Sequence, residues 1–241
     1  MEETIKSLEE AKLLTQNLPW TKEQIAELEK KFHLIADYFL YGGYINVLNR
    51  YRIYIQRIEF YFHSEKDSPN AIKDDIVYHR NDYHVEGSFP YFTPFTFHAH
   101  ASGFDIAFEN PKEEYRASAL IRAYEIYDEI EKQYLNYKYA FDIQQKKWIE
   151  KGDVFVHSVE PCVNTQSTYL YDILNGFGNA GTISWEHCPL ALYAEPEKCN
   201  VKIDKRKGVY DKTREKWKNG YDEPRDRKWS FERKESINTI I

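Results

Sequence analysis

The chain has 241 residues, 42% hydrophobic and 30% charged, with 20 Tyr, 14 Phe, 5 Trp and a net charge of −6. That length can bury a substantial core, the aromatic content excludes a disordered chain, and 10 Gly with 9 Pro exclude collagen-like or Pro/Gly-rich sequence. No apolar run approaches the roughly 18 residues of a membrane helix; the opening MEETIKSLEEAK lacks the basic-then-apolar order of a signal peptide, and Cys162, Cys188 and Cys199 are too widely spaced for a zinc site or disulfide framework, so the expected setting is a reducing cytoplasm.

In chain order, residues 1–16 read as a short amphipathic helix that Leu18-Pro19-Trp20 breaks. Thr21 and Gln24 have the spacing of a capping box. Ile25, Leu28, Phe32, Ile35 and Phe39 then follow at steps of three and four, one face of a helix that Gly42-Gly43 ends. Tyr44 to Phe62 is dense in β-branched and aromatic residues and reads as strand. Strict alternation puts Ile53, Ile55, Arg57, Glu59 and Tyr61 on one face, with Tyr54, Gln56, Ile58, Phe60 and Phe62 on the other.

Residues 64–74 read as a loop, and 76–92 hold scattered aromatics around His79 and His84. Residues 95–108 read as two strands with a bend near Ser102-Gly103. Asn110-Pro111 followed by acids is a helix start, and local pattern alone extends that helix towards Tyr134. Residues 152–159 read as a strand, 175–178 as a Gly-bearing loop, and 182–185 and 189–194 as apolar pieces. Short strands and basic loops fill 200–233. The class predicted is α+β, one domain over 1–241, with a curved, mostly antiparallel, aromatic sheet or partial barrel and peripheral helices.

Charge is segregated. Residues 201–234 carry a net of +6 and the remainder −12. A basic segment with Trp217 and Trp229 suits phosphate, and duplex DNA is the partner it suggests; the plainer reading is a solvated surface stretch.

No Walker loop, GxGxxG, HExxH or GxSxG is present. Glu59, in the apolar run Ile58-Glu-Phe-Tyr-Phe62, is the candidate general base, because a buried carboxylate must be paired or perturbed. The plainer alternative pairs it with Arg57 or Arg52 or turns it to water. His98 and His100 share a strand face at a spacing that suits a metal, but no third ligand lies near, and a half-buried histidine pair is the simpler reading. No cofactor is expected.

The order of landmarks resembles the alkyladenine/3-methyladenine DNA glycosylase superfamily. Ala36-Asp-Tyr-Phe-Leu-Tyr-Gly42 is similar to its A-x-x-L-L-G helix, and Ile58-Glu59-Phe60-Tyr61 to its E-x-Y element. Asp75-x-x-x-His79 resembles its Asp-His pair, and Leu120-Ile-Arg122-Ala-Tyr-Glu125 its L-[LI]-R-A-x-E strand. Asn175-Gly-Phe-Gly178, Lys207-Gly-Val209 and Lys228-Trp-Ser-Phe231 are similar to its closing elements. The resemblance implies a fold like the C-terminal domain of methionyl-tRNA formyltransferase, and a strand rather than a helix over 118–124.

For activity it implies hydrolysis of the N-glycosidic bond of alkylated or damaged purines flipped from DNA, without cofactor. Glu59 would activate water, its proton affinity raised by an aromatic pocket. Tyr61 would stack on the base, His79 form the opposing wall, and Arg122 support the water. There are departures. His79-Arg-Asn-Asp82 replaces a basic segment, and no aromatic wedge precedes Gly103, where His98 or His100 would supply the wall. Three functions follow: a DNA glycosylase, a member of the fold binding a small flat ligand or nucleoside, or a scaffold without pocket chemistry. The first predicts Glu59, Tyr61, His79 and Arg122 in one cleft with a positive rim from 202–218 or 225–234; the second predicts the same cleft with an acidic or neutral rim; the last predicts Glu59 paired with an arginine and no cavity beside it.

Overall fold

Two helices form where the apolar spacing predicts them. In the computed structural model, which describes residues 5–47, 49–74, 76–77, 79–81, 90–100, 103–134, 139–142, 147–150, 157–158, 183–187, 201–206 and 227–234, helix α1 spans Leu8–Gln16. The Ser7 hydroxyl accepts from the Glu10 amide at 3.2 Å, and Glu9 and Glu10 sit at the positive end of the helix. Helix α2 spans Ile25–Tyr41 after a 3₁₀ turn at Lys22–Gln24. The Thr21 hydroxyl donates to the Gln24 side-chain oxygen at 3.1 Å and caps no backbone amide, so the expected box is not formed. Leu28, Phe32, Ile35 and Phe39 are fully buried, as their spacing requires, while Ile25 lies at the rim.

The predicted strand 44–62 is two strands, β1 (Gly43–Val47) and β2 (Tyr51–Ser64), turned at Asn49 with φ 54°. Further along lie β3 (Phe97–His100), β4 (Gly103–Ala107), β5 (Tyr115–Asp128), β6 (Gln133–Tyr134), β7 (Tyr139–Asp142) and β8 (Lys147–Glu150). They are followed by β9 (His157–Ser158), β10 (Ile183–His187), β11 (Val201–Asp204) and β12 (Ser230–Arg233). Except for the β7–β8 hairpin, all join one antiparallel sheet in the order β10-β1-β2-β5-β4-β3. Among the described residues that path has two ends, at β10 and β3, so the sheet is an open one. Strand β12 continues beyond β1 along the same edge of β2, with Ser230 opposite Glu59, and carries β11 outside it.

Long β2 and long β5 form the spine, paired from Tyr51↔Asp128 to Ser64↔Tyr115. The pairing holds two compensating irregularities. Gln56 is an extra residue on β2, between the pairs Ile55↔Tyr124 and Arg57↔Ala123. Arg122 is an extra residue on β5, between Arg57↔Ala123 and Ile58↔Ile121. Strict alternation therefore fails at Gln56. Ile53 and Ile55 join Ile58, Phe60 and Phe62 on one apolar face, opposite Ile126, Tyr124, Ile121, Ala119 and Ala117. Helix α2 packs there: Phe32 stacks on Phe60 at 4.5 Å and meets the edge of Trp229 at 5.2 Å. The other face carries Arg57, Glu59, Tyr61 and His63.

The helix that local pattern predicts over 110–134 is absent. The Asn110 carboxamide does accept from the amides of Lys112 (2.9 Å) and Glu113 (3.3 Å), so the cap signal is real. It opens only a turn, closed by Glu114 at φ 53°, and Tyr115–Asp128 then pairs between β2 and β4 and is buried along nearly its whole length. Tertiary pairing overrides helix propensity here, and the strand implied over 118–124 is present. Strands β3 and β4 pair antiparallel on either side of the bend expected near Ser102-Gly103, with His100 opposite Gly103. Only β9 of the strand expected at 152–159 lies within the described residues, and the 175–178 loop, the 189–194 piece and the three cysteines lie outside them.

Gly43 has no room for a side chain. A Cβ there meets the Glu186 carbonyl oxygen and the Trp185 ring at 2.8 Å, across the β1–β10 pairing. Gly43→Ala is expected to cost about 1–3 kcal/mol in a urea unfolding titration, whereas an unchanged midpoint would show that β10 does not hold this register.

Candidate functional site

The polar face of the spine holds buried charge. Glu59 is fully buried, and its Oε2 accepts from Arg122 Nε at 2.7 Å and from the Tyr61 hydroxyl at 3.2 Å. Arg122 Nη2 donates to the same hydroxyl at 3.0 Å, closing a three-membered ring of contacts. Arg57 stands 3.6 Å from the other carboxylate oxygen and donates through Nε to Ser230 on β12 at 3.1 Å. The bulge makes this possible: as the extra residue on β5, Arg122 is re-aimed along the sheet to meet Glu59, whose direct partner is Leu120.

The Glu59 carboxylate thus sits between two guanidiniums and a phenol. The surroundings of the carboxylate are cations as well as rings, and the alternative pairing with Arg57 is present. Tyr61 holds its proton more tightly than in water, chiefly through burial of its hydroxyl; Glu59 adds to this, while Arg122 and Arg206 act against it. For Arg122, burial opposes its charge, but Tyr61 and Glu59 outweigh it, so this side chain also binds its proton more strongly. The Arg206 guanidinium lies 4.8 Å from the Tyr61 ring centre and covers one of its faces.

His79 is elsewhere. It is buried against Glu109, whose Oε2 accepts from Arg116 at 3.0 Å and from the Phe92 amide at 2.7 Å. Arg116 is opposite His63, four residues along β2 from Glu59, or about 13 Å at strand rise. Arg116 also reaches Glu65 at 3.2 Å and covers the Tyr91 ring at 3.5 Å. Of the four residues expected in one cleft, Glu59, Tyr61 and Arg122 are in direct contact, while His79 belongs to a second cluster of contacts with Glu109, Arg116 and Phe92; Asp105 on β4 and Ser118 on β5 lie 3.5 Å apart on the same part of the sheet. His98 belongs to the second cluster: it stacks on Phe92 at 3.7 Å, bonds Thr96 at 2.7 Å, and Phe92 in turn meets His79 at 5.3 Å. The side chain of His100, like Asp75, lies outside the described residues. Among the described residues no three His, Cys, Asp or Glu side chains converge as metal ligands.

Sequence reasoning missed Asp74, Glu109, Arg116 and Arg206. Asp74 is fully buried, paired with Arg206 at 2.6 Å and with Arg227 at 3.8 Å. Glu109 could have been found by the signal that marked Glu59, an acid at the end of the apolar run Ile106-Ala-Phe108. Asp74 sits in a polar loop and carries no such signal. Of the basic segment expected to form a positive rim, Lys202, Lys205, Lys228 and Lys234 are exposed, whereas the described arginines are not. Arg206, Arg227 and Arg233 of the basic segment are buried; Arg233 donates to the carbonyls of Leu40 and Ile55, the latter at 2.8 Å. Lys202 stands near Asp204 and Glu232, at 3.7 and 3.9 Å. Residues 207–226 lie outside the described residues, and among the described ones no helix is long and apolar enough to cross a membrane.

No family model, curated protein or solved structure matches the chain.

Removing one partner of a buried pair strands the other charge. Arg122→Met is expected to cost about 3 kcal/mol in urea unfolding. The double variant Glu59→Gln/Arg122→Met should cost at least about 1 kcal/mol less than the sum of the two single changes; additive losses would mean that the two side chains are not coupled.

Proposed function

We propose that the chain hydrolyses the N-glycosidic bond of purine-type bases, on a fold of the formyltransferase C-terminal-domain kind. The observation that carries this reading is Glu59: a fully buried carboxylate on the polar sheet face, oriented by Arg122 and Tyr61. Burying three charged groups together is costly for stability alone, and such arrangements concentrate at functional sites. In the reaction, water attacks the sugar C1′ and loses a proton to Glu59, while the C1′–N bond breaks and its electron pair leaves with the base. The negative carboxylate also favours the positive charge that develops on the sugar. Arg122 fixes the carboxylate's direction, and a base stacks on the Tyr61 face away from Arg206. The motif order supports assigning this chemistry to Glu59, Tyr61 and Arg122; His79 and His98 then act from the second cluster, on the sugar-phosphate side.

Alkylated duplex DNA is the substrate that the motif order supports. One observation favours a free nucleoside or other small flat substrate instead: the described arginines of the basic segment point inward, and the chain carries −6 overall, which opposes phosphate binding. The test is release of free base from alkylated duplex DNA and from alkylated purine nucleosides. Glu59→Gln is expected to lower the productive rate by at least about a hundredfold. Release from the duplex supports the first substrate, and release confined to nucleosides the second. Release from neither, or release untouched in Glu59→Gln, contradicts the mechanism.

A further inference from the structure

On the opposite, apolar face of the sheet a cleft of about 520 Å³ opens between α1, the turn before β3 and strand β10. Phe39, Phe95, Phe97 and Trp185 supply aromatic walls, Ile106 contributes to the lining, and Lys12 stands among the lining residues as their one charged group. The volume is that of small-molecule sites, which pair apolar walls with few polar groups.

The cleft is built at a cost. Phe95 has φ 59°, a left-handed backbone that a bulky side chain rarely adopts. Two backbone bonds to β4 hold it there: the Phe95 amide to the Ala107 carbonyl (2.6 Å) and the Ala107 amide to the Thr96 carbonyl (3.0 Å). The strain places the Phe95 ring 6.1 Å from Phe39 at the cleft wall. The Lys12 amine pairs with Glu9 at 2.8 Å, but the Glu9 side chain is 77% exposed, so that pair is screened by water and yields readily to a ligand anion.

From the aromatic walls and the single cation we infer that this cleft binds a small flat aromatic carboxylate, its rings between Phe95 and Trp185 and its anion on Lys12. The inference is independent of the chemistry assigned to Glu59.

The probe is 2-naphthoate, with 2-naphthamide as its uncharged counterpart, titrated into the full chain by calorimetry with tryptophan fluorescence alongside. The naphthoate is expected to bind once per chain and about tenfold more tightly than the amide. Lys12→Met, a change on the surface of α1, should remove that preference, and Ser184→Trp, which fills the cleft from β10, should abolish binding of both. Failure of both compounds to bind at millimolar concentration overturns the inference. So does equal affinity for the two, a preference that survives Lys12→Met, or binding undiminished in Ser184→Trp while thermal unfolding shows that variant folded.

Discussion

The paired irregularity at Gln56 and Arg122 is the constraint on which the rest of the sheet depends. Without an extra residue on each strand, the apolar phase of the first half of β2 would turn to the opposite face from that of its second half. Ile53 and Ile55 would then leave the layer covered by α2. With both, fourteen residues of β2 keep one apolar face against the helices and one polar face away from them. The same irregularity supplies the site, because Arg122 is the residue that the pairing leaves over, and its side chain turns to the carboxylate of Glu59. Core phasing and site geometry therefore have a common local cause.

Among the described residues, three groups join a buried acid to buried arginine: Glu59 with Arg122 and Arg57, Asp74 with Arg206 and Arg227, and Glu109 with Arg116. Buried pairs of this kind add little net stability compared with apolar packing, yet losing one member is expensive. Two of the three tie distant parts of the chain together. Arg206 and Arg227 hold the basic carboxy-terminal segment onto the loop after β2, and Trp229 between them packs on Phe32 and donates to Glu29 at 3.2 Å. The segregated positive charge of that segment is thus partly internal counter-charge.

Much of this was legible in the residues. The 3.6-residue spacing gave α2, the Gly pair its end, and the lone acid in an apolar run picked out Glu59. What failed did so for a physical reason. Alternation counts one residue per step and cannot show an extra one, so Ile53 and Ile55 were assigned to the wrong face. The Asn110 cap is a local signal, and β5 is decided by β2 and β4, which lie far away in sequence. The seating of His79 against Glu109 depends on Arg116, whose meeting with Glu109 is set by strand register, and the inward turn of Arg206 depends on Asp74, 132 residues earlier.

The polar face read as a base-binding surface is tested most directly by a crystal structure of the protein soaked with free 3-methyladenine. The account predicts the base stacked on the Tyr61 ring, on the side away from Arg206, with its glycosidic nitrogen turned towards the Glu59 carboxylate across room for a sugar carbon and a water, and Arg122 still paired to Glu59. An ordered base bound elsewhere, with the Glu59–Arg122–Tyr61 ring closed and untouched, would contradict it.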